Sequence, residues 1–226
     1  MKHDKFVDEI GALSVRARAN QRLLLAIAGA VVAIAVIAFG IYFYRANRED
    51  SAQQALASAI ETAEASIGET KPEGVTGPHF KTEAERTAAA EKAFKGVRDS
   101  HSGTDAADVA GLYLARMAVT KGDVKTARTL LEEFVDDHSD NILVSTARFS
   151  LYQLRIENGE AAQVAQELEA EIAKSEPVLP GDSLLVLLAQ AYDVQGNSAK
   201  SKEAYKRITT DFPESPYVVE AARRAS

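Results

Sequence analysis

Between residues 23 and 44 the chain shows no alternation of apolar and polar positions. LLLAIAGAVVAIAVIAFGIYFY is 22 residues without a charge, about 33 Å as a helix and enough to cross a bilayer. A soluble helix of this length has a polar face, and this one has none. A cleaved signal peptide has a shorter apolar stretch and a small-residue site at its end, whereas this segment closes on Tyr42, Phe43 and Tyr44, as an interfacial aromatic belt does. The pattern predicts a retained transmembrane helix over 23–44. Ahead of it, Phe6, Ile10 and Leu13 recur at helical spacing with Arg16, Arg18 and Arg22 nearer the bilayer. That reads as a short tail helix lying on anionic headgroups or docking a cytoplasmic partner.

Past residue 45 the apolar positions recur with the helical period. Residues 47–67 (Ala55, Leu56, Ala59, Ile60, Ala63, Ile67) and 81–99 (Ala84, Ala88, Phe94, Val97) read as two amphipathic helices, joined by the polar GETKPEGVTGPHF. This connection is expected to be an exposed, mobile loop. Further helical segments are predicted at 106–120, 124–136, 141–157, 161–174, 182–194 and 198–210. Gly122, Gly159 and Gly196 stand 37 residues apart, in KGD, NGE and QGN, and the same offset relates Leu114, Leu151 and Leu188. Three helix-turn-helix units follow, each turned at a glycine. All six prolines fall between the proposed helices, where the missing N–H costs nothing.

These residues resemble tetratricopeptide repeats. In the third unit Leu188, Ala189, Tyr192, Gly196, Ser201, Tyr205, Ile208 and Pro213 sit at that motif's positions; the first unit matches with Leu114, Ala115, Gly122, Ala127, Leu131 and Phe134 but has Ser139 in place of the proline. The middle unit departs from it, with Tyr152 at a small site and Glu171 at an apolar one, so its packing is expected to shift. The predicted fold is all-α: a tail (1–22), a transmembrane helix (23–44), a degenerate hairpin with a long loop (45–100), then three tetratricopeptide-like repeats with a C-terminal capping helix (101–226).

Composition narrows the chemistry. Residues 45–226 carry 21 basic and 30 acidic side chains, a net −9, which is unsuited to holding a nucleic acid backbone. The chain has no cysteine, so disulfides, iron-sulfur clusters and thiol catalysis are excluded. His3, His79, His101 and His138 are scattered without helical ligand spacing, and Asp136, Asp137 and Asp140 around His138 read as a solvated turn rather than a cation site. No phosphate loop, nucleophile elbow or kinase motif is present. The sequence therefore points away from an enzyme and names no catalytic, cofactor or metal residue.

Binding surfaces remain. The repeat resemblance implies a groove-facing column at Leu112, Phe149 and Val186, with Arg116, Gln153 and Gln190 one turn along, suited to a peptide; alternatively the column is covered by the 47–67 helix or a neighbouring repeat. In the apolar helix Ala26, Gly29, Ala30 and Ala33 share one face, which either packs against a membrane partner or another copy of the chain, or faces lipid. Five basic residues precede the span, against Arg45 and Arg48 close behind it. The N-terminus is therefore expected in the cytoplasm and the repeats across the membrane, in the periplasm of a bacterium with two membranes. Tail, single span and exported repeats together resemble the ancillary SecYEG translocon subunit family. That resemblance implies an inner-membrane accessory to protein export with the translocon, folding factors or exported chains as partners. A scaffold for pilus, division or outer-membrane machinery is the alternative.

Overall fold

The computed structural model describes residues 21–74, 76–138 and 143–226, with side chains described from residue 25 onward. The tail stripe of Phe6, Ile10 and Leu13 lies outside the described residues. The chain forms two bodies, 1–51 and 52–226.

The described part of the first body is a single helix, the start of α1 (Gln21–Ala63). From Leu25 to Tyr44 every side chain is exposed. A helix apolar all round needs an apolar surrounding, and this one is long and apolar enough to cross a membrane. Phe39 and Phe43 lie with ring centroids 4.8 Å apart, their planes tilted by 46°, and the Arg48 guanidinium lies 5.9 Å from the centre of the Tyr44 ring. Aromatic and basic groups thus gather at the helix's C-terminal side of the apolar stretch. No break separates this stretch from the helix read at 47–67, since residues 45–51 contain neither glycine nor proline.

The second body begins with the last turns of α1, where Ala52, Leu56 and Ala59 are buried in a cluster with Ala90, Phe94 and Val97 of α2 (Glu83–Ser100). The helix stops at Ala63, four residues short of the sequence expectation. The chain then makes β1 (Ser66–Ile67), which pairs in parallel with β2 (His79–Phe80), Ser66 opposite His79. His79 fastens this pair. Its Nε2 donates to the Gly68 carbonyl at 2.9 Å, so its Nδ1 accepts from the Ser66 hydroxyl at 2.8 Å when the ring is neutral. The connection is thus held at its base.

Three helix pairs follow: α3 (Asp105–Lys121) with α4 (Val124–Asp137), α5 (Val144–Arg155) with α6 (Ala161–Ile172), and α7 (Gly181–Val194) with α8 (Ser198–Asp211). A short α9 (Val218–Ala225) closes the described chain. In the first and third pairs the turns are built alike. Gly122 and Gly196 take φ of 74° and 72°; the following Asp123 and Asn197 then bond back to Ala118 and Tyr192 carbonyls at 2.9 Å. The same Asp123 and Asn197 cap the next helix, accepting from Thr126 and Lys200 amides. In the middle pair Gly159 also takes positive φ, 92°, and with Asn158 (φ −107°, ψ 30°) it makes a non-helical kink between the two helices, within Ile156–Glu160. Glu160 makes no cap there; its carboxylate goes to Arg155 and Arg128 instead.

The small positions lie where helices cross: Ala115, Ala127 and Ala189 are almost wholly buried, allowing the backbones to approach. The core runs as three clusters along the array. The last joins Leu185, Val186 and Ala189 of α7 to Tyr205, Ile208 and Ala221.

Candidate functional site

Each unit presents its first helix, α3, α5 or α7, and the spaces between these helices decide whether the array has a groove. α5 packs on α4 and touches α7, leaving a gap toward α3. The gap is a trough of about 350 Å³. Ala115, Leu131 and Ala147, nearly buried, line its depth. Leu112, Arg116 and Val119 of α3 line it on one side, and Thr146, Ser150 and Gln153 of α5 on the other. The opening has a residue-level cause: at the 37-residue offset Tyr113 and Leu187 correspond to Ser150, so α5 offers a small polar side chain where its neighbours offer bulk.

The sequence-derived column divides across this array. Leu112, Arg116 and Gln153 line the trough. Phe149 lies instead against Tyr217, the rings nearly parallel with centroids 6.4 Å apart, and Val186 is buried in the cluster that contains Ala189 and Ala221. The segment leading into α9 thus packs on this part of the column, a different cover from the 47–67 helix. Gln190 is half-buried on α7 and takes no part in the trough. The sequence reading missed Val119, Thr146, Ser150 and Glu157; the exchange of Tyr113 and Leu187 for Ser150 was the available signal. Ala26, Gly29, Ala30 and Ala33 are exposed on α1, and no atom lies within 4 Å of where a Gly29 side chain would begin.

Fixed polar contacts hold the walls in place. Arg155 donates two bonds to Glu167, each 2.7 Å, and a third to Glu160 at 2.9 Å, while Arg128 of α4 reaches the same Glu160. This chain of charges ties the first unit to the second beside the kink at Gly159. The Arg155 guanidinium holds the Glu167 and Glu160 carboxyls below the ordinary glutamate value. Tyr152, large where the repeat pattern has a small residue, lies beneath Arg155, whose guanidinium sits 5.8 Å from the ring centre.

His138 closes α4 half-buried at the helix end. Its ring stacks on Phe134, Nδ1 donates to the Phe134 carbonyl at 3.1 Å, and Nε2 meets the Asp108 carboxylate of α3 at 2.7 Å. Burial pushes the Asp108 carboxyl up, against the pull of His138. With both ring nitrogens engaged, His138 joins helices and has no lone pair free for a metal. Asp136 and Asp137 are exposed, and Asp140 lies outside the described residues.

The tetratricopeptide repeat-like domain family model matches residues 21–220 of the chain. No curated protein matches it.

Proposed function

The chain belongs to the tetratricopeptide repeat-like domain family, and from that premise we propose that it is a membrane-anchored protein-interaction module, its repeats in the periplasm, serving protein export and folding at the translocon. The observation that carries this reading is the trough between α3 and α5. It is an open, mostly apolar surface on the first helices of consecutive units, with polar groups along its edges, and such a surface accommodates a peptide segment. The apolar part of α1 supplies the anchor, and the excess of basic residues ahead of it sets the orientation. Its small-residue face at Ala26, Gly29, Ala30 and Ala33 packs against a translocon helix or a second copy, since small side chains let membrane helices approach closely.

Co-purification of the full-length protein from solubilised bacterial membranes tests this. The expected companions are translocon subunits, folding catalysts or chains in transit, with recovery of the membrane companions reduced by Gly29→Leu with Ala33→Leu. A pilus, division or outer-membrane complex in their place would favour the envelope scaffold. An export-dependent reporter fused after Ser226 that stays inactive would overturn the orientation and both readings with it.

A further inference from the structure

Charged side chains around the first two units are mostly paired with one another. Arg128 bonds Glu132 and Glu160, Arg155 holds Glu160 and Glu167, Arg98 meets Glu133 and Lys121 meets Glu91. The trough itself is lined by two charged residues, Arg116 on α3 and Glu157 just beyond α5. Both are exposed, and neither side chain has an ion pair or hydrogen bond among the described residues. An apolar trough that carries one free cation and one free anion is complementary to a segment bearing the opposite pair.

The guanidinium sets the chemistry on its side, because its planar fork matches a carboxylate with two parallel hydrogen bonds. That carboxylate has two sources, a side chain or a chain end. Arg116 and Tyr113 also line a second hollow, bounded by α1, α2 and α3 and by charged residues including Glu64, Arg86 and Lys121. The concave surface therefore continues past Arg116, and a bound segment continues along it, which favours a side chain over a terminus. Building on the reading of the trough as a docking site, we infer that it takes an internal segment of a partner polypeptide, with apolar side chains on its floor, an aspartate or glutamate against Arg116 and a lysine or arginine against Glu157.

Panning a display library of random peptides against the full-length protein in detergent micelles tests the inference. Enriched peptides are expected to carry apolar residues with one acidic and one basic neighbour. Arg116→Glu should weaken them about tenfold, the scale of one lost charge-assisted contact, and replacing their acidic residue by lysine should restore binding to that variant. Thr146→Trp, which puts bulk into the trough from an exposed position, should block binding by all of them. Both variants are first checked for the parent's thermal unfolding. Peptides indifferent to Arg116→Glu but blocked by Thr146→Trp overturn the charge readout and leave the docking reading standing. A requirement for a free C-terminal carboxylate overturns the internal segment. Binding that survives Thr146→Trp, or no enrichment at all, overturns both.

Discussion

Arg155 shows how single residues couple the repeats. Its side chain is 12% exposed, and its bonds to Glu167 and Glu160 hold both carboxyls below the ordinary value of 4.5. A depressed carboxyl contributes stability that is present above its unfolded-state value and lost as pH falls through its folded-state value. The full-length protein is therefore expected to lose thermal stability below about pH 4.5, and Glu167→Gln to lose less over the same acid range. Equal losses, followed by the unfolding of the helical signal, would mean that the Arg155 contacts do not add to stability. The sequence offered no clue to these contacts, because their partners come from the turn and from the next helix. The partner of His138 was hidden for the same reason. Along the chain its neighbours are Asp136 and Asp137, but its partner is Asp108, 30 residues away. The small residues at helix crossings were legible in the first and third units, where Ala115 and Ala189 hold the same repeat position and close packing requires them, while Tyr152 departs from it in the middle unit.

Elements were readable where a period or a turn residue specified them. The three glycines marked three turns, and all three take positive φ. No atom lies within 4 Å of an added Cβ at Gly122 or Gly196, so the cost of a side chain there is conformational alone. Gly122→Ala and Gly196→Ala are each expected to lower stability by about 1–2 kcal/mol, and asparagine at the same sites by less. Denaturant unfolding measures this; alanine variants as stable as the parent would show that the turns relax out of the left-handed region. Two features escaped the pattern. β1 and β2 have two residues each, too few for any alternation to register, and the bonds of His79 that hold them are long-range. The join of the apolar stretch to the 47–67 helix was missed because a change from apolar to amphipathic looks like a boundary. The helix continues there, since nothing between breaks it.

At the scale of the molecule, the sequence conveyed an all-α chain, an N-terminal apolar helix with tetratricopeptide-like helical repeats, in agreement with the family match over residues 21–220. It did not convey which part of the apolar column stays open. That depends on Tyr217 covering Phe149, on the burial of Val186, and on Ser150 leaving space beside α3; these are packing outcomes between segments far apart in the chain. The central claim is that partners dock in the trough between α3 and α5. Its most direct test is site-specific photo-crosslinking of the full-length protein in intact bacterial membranes, with the photoreactive residue at Thr146 in the trough or at Gln166, an exposed position of α6 outside it. The expected result is a discrete protein adduct from Thr146, weakened by Arg116→Glu, with none from Gln166. Adducts of equal yield from the two positions, or none from Thr146 while a partner still co-purifies, would contradict the claim.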